Sequence, residues 1–164
     1  MKPNLFTQIQ GDSGRYWVYL GSLLAIIITG LIAAWYMEHK GHWVTGMNNQ
    51  IVWGTPHVFA VFLIISASGA LNVASISSVF GRTIYKPLAR LSTLLALSLL
   101  AGGLMVLVLD LGRPDRLIIA LTTHNFKSIF AWNIFLYNGF FLIVLVYMWM
   151  MLERRMNQYT QIIG

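Results

Sequence analysis

Of the 164 residues, 57% are apolar and only 10% are charged, and the mean hydropathy is +0.68. Soluble domains carry about a quarter charged residues, so this chain lacks the charge to cover a water-facing exterior. The net charge of +6 therefore does not indicate a soluble nucleic-acid binder, and the hydrophobicity excludes disorder. With no cysteine, the chain itself can hold no disulfide, thiolate-bound zinc, iron–sulfur cluster, covalent c-type haem or cysteine nucleophile.

Four apolar runs, near 16–36, 55–80, 91–111 and 128–152, are each long enough to cross a membrane. A hydrocarbon core of about 30 Å takes roughly 20 helical residues. The runs are continuous and not alternating, so the predicted fold is an all-α integral membrane protein with four transmembrane helices, not a β-barrel. Residues 1–164 read as a single membrane domain. The first run follows too long a polar lead, and is itself too long, for a cleaved signal peptide. Of the eleven lysines and arginines, seven (Lys2, Arg15, Arg82, Lys86, Arg90, Arg154 and Arg155) fall on one side. Lys40, Arg113, Arg116 and Lys127 fall on the other, which predicts both termini on the cytoplasmic side. All four histidines (His39, His42, His57 and His124) lie at or beyond the outward helix ends. Wet loops alone would account for that, and so would a face built to exchange protons.

The first connection, Met37–Gly54, is rich in glycine and asparagine and carries two tryptophans, which suits an interfacial loop. Thr55-Pro56 then predicts a helix start with threonine as cap and proline at the first helical position, placing His57 in the first turn. Within the second span Ser66, Ala70, Ala74 and Ser78 recur every four residues, a pattern that allows close helix approach. Gly102 and Gly103 read the same way, and Asn72 is expected to bond across helices.

The third span ends in Leu109-Asp110-Leu111-Gly112-Arg113-Pro114-Asp115-Arg116. Asp110 lies at a depth where a carboxylate is costly unless paired or wet, and Arg113 and Arg116 are the evident partners. The run is either a salt-bridged turn that seals a helix end or a carboxylate held at the edge of a ligand pocket. The fourth span opens at Ser128, a candidate cap; Asn133 and Tyr137 share one face and Asn138 follows. These side chains serve as interhelical glue, or they line the inner part of a cavity whose mouth is His57 and Asp110.

The segments Gly46–His57, Ser77–Ser92, Leu109–Arg116 and Asn125–Asn133 together resemble the NrfD/PsrC family, the membrane subunits of polysulfide-reductase-type complexes. The likeness is closest to the branch found in Dsr-type complexes and covers roughly residues 43–155. It implies a larger helical bundle that binds quinone, menaquinone or ubiquinone, near the outer face of a bacterial inner (cytoplasmic) membrane. It also implies a docked ferredoxin-like iron–sulfur subunit on the extracytoplasmic side, and a molybdopterin enzyme or a cytochrome beyond it. By helix order, the polar pair that begins one family helix falls at His57, and the carboxylate that ends the next falls on Asp110. Members of the family usually have eight to ten spans, so this chain is expected to be the N-terminal half of a longer protein, completed by the remaining helices.

On this reading His57 and Asp110 carry the proton chemistry. Trp53 and Phe59 wall the ring, Arg113 moderates Asp110, and Asn133 and Tyr137 line the pocket, with no metal and no covalent cofactor. Two rivals stand beside it. One is a non-redox anchor or scaffold for the extracytoplasmic subunits. The other is a haem b anchor, although only His57 falls inside a span.

Overall fold

The structure is a computed structural model that describes residues 13–81, 83–111, 117–123, 127–153, 156 and 159. Every regular element among the described residues is helical: α1 (Gly14–Lys40), α2 (Thr55–Ser78), α3 (Lys86–Leu109), the short α4 (Leu117–Thr122) and α5 (Ile129–Leu152). Short 3-10 turns at His42–Thr45 and Thr83–Tyr85 precede α2 and α3. Four of the helices are long and apolar enough to cross a membrane, as the composition requires.

The chain divides into two compact units, Met1–Gly41 and His42–Gly164. In the first, α1 has exposed apolar side chains on every flank, from Tyr16 to Tyr36. A helix apolar all round is solvated by lipid. It ends at Gly41, whose φ of +95° suits glycine and whose N–H closes on the Met37 carbonyl at 2.8 Å.

The second unit is built from α2, α3 and α5, and one spacing organises all three. On α2 the inward residues are His57, Ala60, Ile64, Ala67, Leu71 and Ala74. On α3 they are Ala89, Thr93, Ala96, Leu100, Gly103, Leu107 and Asp110. On α5 they are Asn133, Tyr137, Phe140, Val144, Tyr147 and Met151. Each series steps by three and four residues, the repeat that keeps one stripe of a helix facing a partner. Ala67, Ala96, Leu100 and Val144 form one fully buried cluster, and Ala74, Ala89, Tyr147 and Met151 form a second. Thr93 is buried completely; its hydroxyl donates to the Ala89 carbonyl at 2.8 Å and lies 3.5 Å from Met151 Sδ.

The buried stripe runs through Ala60, Ala67 and Ala74 at seven-residue spacing; of the series Ser66, Ala70, Ala74 and Ser78 that the sequence suggested, Ala74 lies on it and Ala70 packs beside it, and the Ser78 side chain lies outside the described residues. Only a 3.5-residue period stays on one face over twenty residues. Asn72 lies on the exposed face of α2 with no hydrogen bond to any described residue, contrary to the expectation that it bridges helices. Gly103, not Gly102, marks the close approach: a Cβ there would sit 3.0 Å from Ile64 Cγ1 and 3.2 Å from the Ala60 carbonyl oxygen.

Helix ends also depart from expectation. α3 begins at Lys86, not near residue 91, because Pro87 is tolerated in a first turn. Gly54 rather than Thr55 is the N-cap residue of α2. His39, expected in a loop, lies in the last turn of α1, its Nδ1 3.0 Å from the Trp35 carbonyl. Arg113, Arg116, Lys2 and His124 lie outside the described residues.

Candidate functional site

The connection before α2 folds back on the start of that helix. Asn48 anchors it: its side-chain oxygen accepts from the Gln50 and Ile51 amides at 2.8 and 2.6 Å. Thr55 uses its hydroxyl to bond the Thr45 carbonyl at 3.1 Å, tying the loop to the first turn. Gly54 is buried between them, and a Cβ there would collide with the Thr45 hydroxyl and reach 2.9 Å from Met47 Cγ. This is why the position is glycine. The fastened loop delivers Trp53 onto His57, with ring centroids 4.7 Å apart and a 37° tilt.

Asp110 caps the C-terminus of α3, its N–H returning to the Val106 carbonyl. The Gly103–Ala60 approach brings that helix end beside the start of α2. His57 Nδ1 and Asp110 Oδ2 lie 3.0 Å apart, with side-chain exposures of 26% and 7%. A carboxylate only accepts, so Nδ1 carries the proton and donates it to Oδ2. Asp110 Oδ1 is buried with no hydrogen bond to any described residue. Fifty-three residues apart in sequence, the two groups make a direct pair.

A cavity of about 430 Å³ opens beside the pair. Its walls are Val61 of α2, Leu104, Leu107, Val108 and Leu111 near the end of α3, Leu117 of α4 and Ile134 of α5. Its polar groups come from two sides: His57 and Trp53 on one, Asn133, Tyr137 and Asn138 on the other. Asn138 donates to its own helix at the Ile134 carbonyl, 2.8 Å away. Asn133 and Tyr137 have no hydrogen bond to a described residue. An apolar chamber with a few convergent polar groups is the usual form of a small-molecule site.

The structure therefore gathers His57, Trp53, Asn133 and Tyr137 around one chamber, with Asp110 directly behind His57. Phe59 is not among the lining residues and is 58% exposed, because it lies two positions past His57 on another face of α2. Asn138, which follows Tyr137 in the sequence reading, also lines the cavity, whereas the leucines of α3 were not singled out from sequence. Of these leucines, Leu107 falls on the three-four spacing, which ends on polar residues in all three helices at the same end of the unit.

That constellation can be set beside known proteins. The family model described as polysulphide reductase, NrfD, matches residues 43–163. The chain belongs to the NrfD family. Relatives include an integral membrane subunit of an Hdr-like menaquinol oxidoreductase from Archaeoglobus fulgidus, 29% identical over 148 residues. Another is the protein described as a dimethyl sulfoxide reductase membrane subunit in Halobacterium salinarum, 31% identical over 145 residues. A third is a selenate reductase subunit of Mesobacillus selenatarsenatis, 24% identical over 144 residues. These matches cover 90%, 88% and 88% of the chain but only 37%, 33% and 34% of the relatives. The chain thus spans about a third of the length of these NrfD-type relatives. No solved structure matches it. The family match covers all of α2 to α5, the helices that build the cavity, and the NrfD assignment agrees with the multi-pass membrane character read from composition.

Proposed function

We propose that this chain supplies the quinone-exchange site in the membrane subunit of a multi-subunit respiratory oxidoreductase. The observation that carries the reading is the His57–Asp110 pair at the edge of an apolar chamber with a second polar pole on α5. A quinone headgroup is a flat apolar ring with two opposed oxygens, and the residues present fit it. Val61, Leu104, Leu107 and Val108 would wall the ring; His57 Nε2 would accept from one hydroxyl of the quinol, and the Asn133 amide and Tyr137 hydroxyl would hold the other oxygen. When bound, the quinone couple supplies the exchange of two electrons and two protons. The chain's own residues bind and orient the ring, hold a proton at His57 and keep Asp110 as its counter-charge.

The relative named for menaquinol favours menaquinone over ubiquinone. This chain has no cysteine to hold a cluster. A ferredoxin-like iron–sulfur subunit docked on the extracytoplasmic side therefore exchanges electrons with the site. A molybdopterin enzyme or a cytochrome lies beyond it, and the remaining helices of the family bundle complete the pocket. Arg113, three residues on from Asp110 in sequence, would moderate the charge on that carboxylate. The setting is the bacterial inner (cytoplasmic) membrane, which the archaeal relatives extend to its archaeal counterpart.

Titration of the assembled complex with a quinol analogue tests this. Saturable binding that His57→Ala removes without loss of assembly supports the proposal. Non-saturable binding in the assembled wild-type complex overturns it and leaves the scaffold reading.

A further inference from the structure

We infer that Asp110 is a positioning residue: it acts through His57, turning the Nε2 edge of the imidazole toward the cavity, and does not itself touch the bound ring. The identity of the ligand rests on the quinone reading above; the geometry of the pair does not.

Three observations carry it. His57 lines the cavity and Asp110 does not, although the two side chains are in contact. The Asp110 side chain is 7% exposed and stands at the last inward position of α3, one step beyond Leu107, which does line the cavity. Its Oδ1 is buried with no hydrogen bond to a described residue, so the contact to His57 is the one that orients this carboxylate among them.

The chemistry follows from the acceptor-only character of a carboxylate. With Oδ2 accepting at 3.0 Å, the proton of the neutral ring is fixed on Nδ1, and Nε2 presents its lone pair. A ring flip would exchange the two edges and break that bond. Trp53, stacked at 4.7 Å, also restricts the ring. The arrangement matches the general way an outer carboxylate sets the tautomer and direction of a histidine that meets a ligand with its other nitrogen.

The test uses the full-length protein in its assembled complex in lipid nanodiscs, with 2-methyl-1,4-naphthalenediol, kept reduced, as probe, because its hydroxyl can donate to the Nε2 lone pair. Asp110→Leu removes the acceptor, Asp110→Asn keeps an oxygen for the Nδ1 proton, and His57→Gln removes the ring. The expected loss of affinity is about tenfold for Asp110→Leu, as for removal of an outer partner, with Asp110→Asn within about threefold of wild type. In a His57→Gln background, Asp110→Leu should add nothing, since a residue that acts through another is silent once that one is gone. A full additional loss there overturns the inference, because Asp110 would then touch the ligand directly.

Nitrogen-15 spectra of histidine-labelled complex without quinone give an independent readout, with His57 assigned by its absence in His57→Gln. The neutral ring should carry its proton on Nδ1 in wild type and Asp110→Asn, and shift toward Nε2 in Asp110→Leu. An unchanged tautomer in Asp110→Leu overturns the inference even where quinone binds. A tautomer shift in Asp110→Leu together with no saturable quinol binding in the wild type overturns the proposed function and leaves the positioning role intact.

Discussion

The two ends of the α2–α3–α5 unit use one spacing to opposite effect. At the end holding Ala74, Ala89, Tyr147 and Met151, small residues on two helices meet large ones on the third in a buried cluster. At the other end the same stripes finish on His57, Asp110, Asn133 and Tyr137, and a chamber of about 430 Å³ remains. In a bilayer, helices gain little from hiding apolar surface from one another, so contact quality decides where they close. Alanines allow close approach at one end. The polar residues at the other find one partner each at most and leave donors facing open space. Packing and function occupy opposite ends of a single repeat.

That contrast is broken most severely at His57. His57→Ala in the assembled complex should cut quinol-linked turnover by about 10²-fold, the scale of a lost acid–base group, and lower the unfolding midpoint, because Asp110 is left buried without its partner. Gly103→Val attacks the helix contact that supports the site instead. Its side chain would meet Ile64 Cγ1 and the Ala60 carbonyl at the close approach, costing about 2 kcal/mol as overpacking. A lowered unfolding midpoint should accompany the loss of the His57–Asp110 contact three residues from Ala60. Its control is Gly102→Ala, whose Cβ would have only Leu63 at 3.9 Å and which should gain about 0.5 kcal/mol from helix propensity.

Gly54→Ala sharpens the comparison from the loop side. The added methyl collides with the Thr45 hydroxyl, so the loop must shift and Trp53 must leave His57. The expected result is quinone-analogue affinity several-fold weaker, with stability lowered by about 1 kcal/mol or less, since the strain falls on a surface loop. The smallest effect belongs to Phe59→Ala. At 58% exposure and outside the cavity, it should leave affinity within about twofold, the range of surface substitutions. A tenfold loss at Phe59 would move the ring to another face of α2.

Much of this was legible in the chain. Four apolar runs without alternation specify four membrane helices, and Pro56 marks one of the starts; Pro87 was passed over, and α3 begins at Lys86, ahead of the run expected near 91. His57 and Asp110 stood out because each is a polar group at a span boundary, where neither is tolerated without a use. Phe59 was misread because proximity in sequence was taken for proximity in space; two residues along a helix is about 200° of rotation. The role of Gly54 was not legible, because its constraint comes from Thr45 and Met47 folding back over it. The roles of Asn133 and Tyr137 were left between glue and cavity, since a side chain's helical face does not say whether a neighbour fills the space opposite.

The amino-acid order by itself determined the lipid-facing composition and the four membrane-spanning helices, because these depend on local hydrophobicity and on the fixed geometry of one helix. The tertiary structure decided which stripe ends meet. The 3.0 Å pairing of His57 with Asp110, and the chamber left beside it, exist only because Gly103 lets α3 settle against Ala60. That approach depends on side chains of two helices at once, which no single segment encodes.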